Sequence, residues 1–262
     1  MSNTVGTRHS GHLERCHSPI FTHGGRYGLS VKSVLFIHGA WHGAWCWDPV
    51  RALLTEAGIE SVAIELPGDQ PGNSIGSDAA IAFTAMDEMN GEVIVVGHSL
   101  AGLVAPFVAT HPKAAGVVMV AALFPEFDIS AAQQRDQNPD LYTQRYRSAE
   151  IIRHEDGSTE VPQDEAIALM FNTCDPEMAL WAANKLRRQY WESFVEPSPL
   201  WAWPEIATLV VACTRDELTN PEPMRVAAAK ISNSTYVELE CDHSPMLSEP
   251  KSFTDLLIHF AK

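Results

Sequence analysis

The stretch Val93-Ile94-Val95-Val96-Gly97-His98-Ser99-Leu100-Ala101-Gly102 constrains this chain more than any other. A run of β-branched residues, the composition of a buried strand, ends in Gly-His-Ser, and an apolar pattern of helical spacing follows at once. A strand, a sharp turn and a helix in direct succession leave the turn residue strained. Its hydroxyl then stands clear at the carboxyl end of a sheet. Strand and helix approach closely only where the flanking residues are small, and Gly97 and Gly102 meet that need. Ala101 occupies the position where the Gly-x-Ser-x-Gly pattern has its second glycine, a departure of one methyl group.

The sequence on either side alternates in the same way. Ser33-Val34-Leu35-Phe36-Ile37 reads as a strand buried on both faces. It ends in His38-Gly39-Ala40-Trp41-His42-Gly43-Ala44-Trp45, a loop of small residues and aromatics with backbone N–H groups free to point at a ligand. Asp48 as cap and Pro49 at the first helical position predict a helix that Gly58 stops. A strand over Ser61–Leu66, a helix over Asp78–Met89, a helix over Leu100–Thr110 kinked at Pro106 and a strand over Ala115–Ala122 follow. The alternation then breaks. Over about 125–204 no clear strand is legible, and aromatics including Trp181, Trp191, Phe194 and Trp201 crowd into helical or irregular sequence. It resumes with a strand over Ala207–Cys213, a helix from Asn220-Pro221 to about Ile231 and a strand over Thr235–Leu239. A final helix carries Phe253, Leu256, Leu257 and Phe260 on one face.

Such alternation predicts an α/β fold: a mostly parallel sheet with right-handed crossovers, helices on both faces and an inserted helical cap. The expected organisation is a poorly ordered leader over 1–30, then one domain over 31–262 with its cap at about 125–204.

The formal net charge of -15 repels phosphate backbones, which argues against nucleic acid and gives no attraction to anionic membranes. The five cysteines are odd in number, widely spaced and without a C-x-x-C, so reduced thiols in the cytoplasm are the expectation. No histidine pairs with a cysteine at metal-ligand spacing, so no metal is expected. Neither a secretory h-region nor a membrane span is legible.

Three polar groups fall at the carboxyl ends of predicted strands, where open α/β sheets gather their chemistry. They are Ser99, Asp216 in Cys213-Thr214-Arg215-Asp216, and His243 in Glu240-Cys241-Asp242-His243. A serine hydroxyl is a weak nucleophile, and a histidine near its own pKa can take its proton and return it to a leaving group. A carboxylate fixes the imidazole tautomer, and two N–H donors must meet the developing oxyanion. The N–H groups of Ala40 and Leu100 are the candidates. Asp242 and Glu217 are rivals for the acid. A residue adjacent to His243 points its side chain elsewhere, which favours Asp216. His38, His42 and His98 are read as structural, and the cysteines as packed thiols.

These motifs together resemble the α/β-hydrolase superfamily, and within it the plant-type methylesterase and hydroxynitrile lyase group with its bacterial relatives. His38-Gly39-Ala40 resembles the oxyanion loop of that group, Gly97–Gly102 its nucleophile elbow, Cys213–Asp216 its acid motif and Asp242–Pro250 its histidine segment. The resemblance implies a six-stranded sheet, a helical cap, no cofactor, and Leu123 and Met170 facing the acyl pocket. Ser244 stands where the lyases of the group place a lysine that holds cyanide. The expected function is a serine carboxylesterase acting on small esters, methyl or aryl, through an acyl-enzyme. The alternatives are a hydroxynitrile lyase-type carbon–carbon lyase and a ligand-binding receptor on a hydrolase scaffold. The partner expected is a small-molecule ester, with a homodimer left open.

Overall fold

The computed structural model describes residues 32–262. The expectation of a poorly ordered leader falls outside the described residues. Eight strands and eleven α-helices follow in chain order. The first half runs β1 (Ser33–Ile37), α1 (Asp48–Glu56), β2 (Ser61–Ile64), α2 (Ile75–Glu88), β3 (Val93–His98), α3 (Ala105–Val108) and β4 (Ala114–Val120). The second half ends the sheet with β7 (Ala207–Cys213), α9 (Pro221–Ala228), β8 (Ser234–Leu239), α10 (Pro245–Ser248) and α11 (Pro250–Phe260). Six of the strands form one sheet in the order β2-β1-β3-β4-β7-β8, and every neighbouring pair is parallel. The apolar runs have the physical reason expected of them: β1 and β3 are buried along their whole length, as central parallel strands covered on both faces must be.

From β1 the chain steps outward to β2, then returns past β1 to β3. Strand order therefore reverses between β1 and β3, and the crevice at their carboxyl ends is the topological switch point where open sheets bind ligands. Helices α1 and α11 pack on each other, as do α2 and α3. Trp47 stacks on Phe36 of β1 with ring centroids 4.6 Å apart, seating the first loop on the sheet.

Between β4 and β7 nothing joins the main sheet among the described residues. This excursion holds α4 (Ala131–Gln137), α5 (Gln144–Arg147), α6 (Gln163–Met170), α7 (Pro176–Ala183) and α8 (Glu192–Val195). It also holds a short antiparallel hairpin, β5 (Ile152–Arg153) with β6 (Thr159–Glu160). That hairpin escapes sequence reading because two-residue strands carry no periodicity. Other differences have local causes. Asp48 is the first helical residue rather than the cap, which Trp47 supplies without a side-chain bond. Helix α2 begins earlier than predicted, because Ser74 and Ser77 form a reciprocal capping box. The helix expected over Leu100–Thr110 is split into a 3-10 turn, Ser99–Leu103, and the short α3, since Pro106 supplies no N–H to continue one ladder.

Candidate active site

Ser99 directly follows β3 with φ +53°, the left-handed region that a side chain adopts only under constraint. The elbow around it is held by close approach. A Cβ on Gly97 would sit 2.5 Å from the Cβ of Ala105 and 2.9 Å from the Ala101 carbonyl. One on Gly102 would collide with the Leu123 carbonyl, and Ala101 itself packs its methyl in the core. Glycine is thus required at 97 and 102, and position 101 has room for alanine. Gly39, after β1, is bound by the same logic: a Cβ there would lie 2.7 Å from the Cβ of Ser99. The loop after β1 and the elbow after β3 therefore touch at the switch point.

The side chains brought forward by strand position come together. The Ser99 hydroxyl lies 2.9 Å from His243 Nε2, and His243 Nδ1 lies 2.7 Å from Asp216 Oδ2. Asp216 is clamped. Its Oδ1 accepts the N–H groups of Leu218 at 2.7 Å and Thr219 at 2.9 Å, and its Oδ2 accepts the Thr219 hydroxyl at 2.6 Å. Asp242 is employed elsewhere, accepting from the N–H of Ser244, the hydroxyl of Ser248 and the N–H of Thr173. The Glu217 carbonyl takes the Thr143 hydroxyl. Thr219 was not singled out from sequence, although Asp216-x-x-Thr219 has the spacing of a side chain closing back on its own turn.

Among the described residues the N–H of Ala40 finds no acceptor. That of Leu100 is the second in its helical turn, where no intrahelical acceptor exists. Both residues line a chamber of about 610 Å³ together with Ser99. Leu123 lines it as expected; Met170 does not. Met170 closes α6 and is buried in the hydrophobic core, because the irregular cap turns that face inward rather than toward the serine.

Three histidines surround the site in structural roles. His38 donates from Nδ1 to the Gly39 carbonyl and accepts the Leu66 N–H at Nε2. His42 bonds the Ala40 carbonyl through Nδ1, and burial pushes its pKa down to about 3. His98 donates to the His243 carbonyl, with Nδ1 unpartnered, and burial holds its pKa well below the ordinary histidine range. Cys213 and Cys241 are buried against each other, and that contact together with burial raises the Cys213 thiol pKa. Ser244 is buried with its hydroxyl 3.5 Å from His42 Nε2, so no cation reaches the site from that position. Among the described residues no cluster of metal-ligating side chains is present, and no helix is long and apolar enough to cross a membrane.

A chain of hydroxyl, imidazole and carboxylate beside two open N–H donors has the parts for acyl transfer. Comparison with known proteins bears on the family. Residues 34–256 match the model of the alpha/beta hydrolase family. The chain belongs to that family. It is similar to Alpha/beta hydrolase nvfD of Aspergillus novofumigatus, at 24% identity over 83% of this chain and 92% of the relative. It is also similar to Methylesterase 7 of Arabidopsis thaliana, at 25% identity over 88% of this chain and 96% of the relative. Among solved structures it superimposes on a pyrethroid hydrolase from Sphingobium faniae with a TM-score of 0.73 at 21% identity, covering 88% of this chain and 98% of that one. The last likeness bears on fold alone. As an alpha/beta hydrolase, the chain is an enzyme of the hydrolase class whose full-length relatives include esterases.

Proposed function

We propose that the protein is a serine carboxylesterase acting on small carboxylic esters, with Ser99 as nucleophile, His243 as general base and acid, and Asp216 as the group that orients His243. The observation that carries this reading is the unbroken relay from the Ser99 hydroxyl to His243 to Asp216, at 2.9 Å and 2.7 Å, beside the undonated N–H of Ala40. Ser99 Oγ attacks the ester carbonyl carbon as His243 Nε2 takes its proton. The N–H groups of Ala40 and Leu100 receive the oxyanion, and His243 then delivers the proton to the departing alcohol. A water deprotonated by His243 attacks the acyl-enzyme and releases the acid. Relatives named as methylesterases support a small alcohol such as methanol.

The test is labelling with a fluorophosphonate, the adduct located by mass spectrometry, alongside turnover of a panel of methyl and p-nitrophenyl esters. An adduct on Ser99 with ester turnover is the expected result. Ligand affinity without hydrolysis would favour the receptor reading. Cyanide release from mandelonitrile in place of ester cleavage would favour the lyase.

A further inference from the structure

Three arginines of the excursion, Arg135, Arg147 and Arg153, line the chamber over Ser99, against one carboxylate, Asp136. This is a local reversal of sign in a chain of net charge -15. The neighbouring groove, of about 1200 Å³, shares Leu123 and Thr219 with the chamber and keeps the chain's acidic character, with Glu126, Asp140 and Glu222 against Lys230. Two of the three arginines are engaged: Arg135 with Asp136 at 2.8 Å, and Arg147 with Asp140 at 3.3 Å. The Arg153 side chain is exposed and has neither a hydrogen-bond nor an ion-pair partner among the described residues.

Its position is built, not incidental. Across the hairpin Arg153 pairs with Thr159, whose hydroxyl accepts the indole N–H of Trp41 at 3.0 Å and of Trp191 at 2.9 Å. Trp41 directly follows Ala40, so the hairpin is tied to the loop that meets the ester. Two phenols share the chamber wall: Tyr142 and Tyr146, with ring centroids 5.1 Å apart. Among the described residues neither hydroxyl has a hydrogen-bond partner, and burial raises both phenol pKa values, so each stays a donor. Arg153, Arg135 and both tyrosines line the same chamber, which places cation and phenols around one space.

We propose that the chamber takes half-esters of dicarboxylic acids, the ester carbonyl at Ser99 and the free carboxylate of the acyl part held by the Arg153 guanidinium and the phenol hydroxyls of Tyr142 and Tyr146. The proposal rests on the esterase reading and names its substrate class. The reaction is hydrolysis. The bond between ester carbonyl and alcohol oxygen breaks, water supplies the new hydroxyl, and the products are a dicarboxylic acid and an alcohol. A planar fork meeting a carboxylate gives orientation as well as attraction, and a positive mouth draws an anion that the rest of the surface repels.

The experiment compares monomethyl esters of linear dicarboxylic acids of increasing length with the matching dimethyl esters, in the wild type, Arg153→Gln and Arg153→Lys. The wild type should prefer one length of monoester over its diester by about tenfold or more in kcat/KM, carried by KM, with added salt eroding the preference. Arg153→Gln should remove about tenfold of that ratio, and Arg153→Lys should restore part of it. A Ser99→Ala protein should bind the preferred monoester in a calorimeter and lose that binding when Arg153→Gln is added. Equal turnover of monoester and diester by the wild type, or a ratio unmoved in Arg153→Gln, overturns the proposal. If Ser99 takes the fluorophosphonate and neutral esters turn over without such a preference, the half-ester assignment fails while the esterase reading stands. With no adduct and no ester turned over, both fail.

Discussion

Under the esterase reading the residue that governs the site is Asp216, because its carboxylate must stay aimed at His243 Nδ1 through the whole cycle. The Thr219 hydroxyl at 2.6 Å and two backbone N–H groups hold it there. Thr219→Val keeps the shape and removes one charge-assisted bond, of the kind worth about 1.5–3 kcal/mol in full. Since two donors remain, kcat should fall about tenfold with KM little changed. Steady-state kinetics on one ester check this, and an unaltered kcat would show that the hydroxyl does not help aim the carboxylate. Histidines make a second prediction. His42 and His98 are kept neutral by burial, the first with a pKa of about 3. Neither gains a proton in the range where an esterase is assayed. The acid limb of the profile of kcat/KM against pH should therefore carry no contribution from His42 or His98, and its slope should not exceed one. A slope of two would mean that one of these two buried rings takes a proton in that range.

Packed elements carry the next two predictions, and they show why some of this fold was legible and some was not. Strands β1, β3, β4 and β7 are continuous apolar runs, and a parallel strand covered on both faces has no other way to look. The elbow was legible from Gly97, whose missing side chain lets α3 and its preceding turn lie against β3. Gly97→Ala would put a methyl 2.5 Å from the Ala105 Cβ. Overpacking of this kind costs about 1–3 kcal/mol, so the denaturation midpoint should drop and Ser99 should lose turnover with it. An unchanged midpoint would mean the elbow relaxes freely. The start of α2 was not legible, since serine at both Ser74 and Ser77 hides a capping box usually spelled with glutamate. Nor was Asp78, buried in the first turns of α2 with Oδ1 unpartnered and its pKa pushed up to about 7 by burial, with the charge of Glu196 adding. Its sign follows from linkage. Below pH ~4 both folded and unfolded forms hold the proton. As pH rises toward 7 the unfolded chain releases it while the folded one keeps it, so stability falls; above that the deficit is constant. Asp78→Asn should thus be silent near pH 4 and stabilise the fold by roughly 2–4 kcal/mol above pH 8. Thermal melts at both ends of the range test it, and a pH-independent difference would refute it.

At the scale of the molecule, the excursion is sewn to the sheet by side chains far apart in sequence, and sequence patterning holds no trace of such stitches. Arg187 binds the His42 carbonyl at 2.8 Å and the Glu65 carboxylate at 2.6 Å, fastening the excursion to the loops after β1 and β2. Glu192 of α8 takes the N–H of Gly72 in the loop before α2, and Glu196, just past α8, takes that of Ile75 at the start of α2. On the opposite side Asn172 donates to the Arg215 carbonyl, and Thr173 meets Asp242 twice. Those last two residues brace the loops that carry Asp216 and His243, so the same segment that roofs the chamber also sets its floor. Asp242 is the strongest of these joints: it is fully buried and accepts from Ser244, Ser248 and Thr173. Asp242→Ala leaves the buried Ser244 N–H and the part-buried Ser248 hydroxyl and Thr173 N–H without that acceptor. The cost should be about 2–4 kcal/mol, from the lost charge-assisted hydrogen bonds and the one donor left fully buried. Asp242→Asn keeps one acceptor oxygen and should lose about half as much. Both variants should also lower turnover at temperatures where they remain folded, since Ser244 and the His243 backbone are set by the same carboxylate. Chemical denaturation gives the stability loss, and activity measured well below each midpoint separates positioning from unfolding. Full activity in a folded Asp242→Ala protein would show that His243 is placed by its own partners alone, and that the excursion roofs the chamber without bracing its floor.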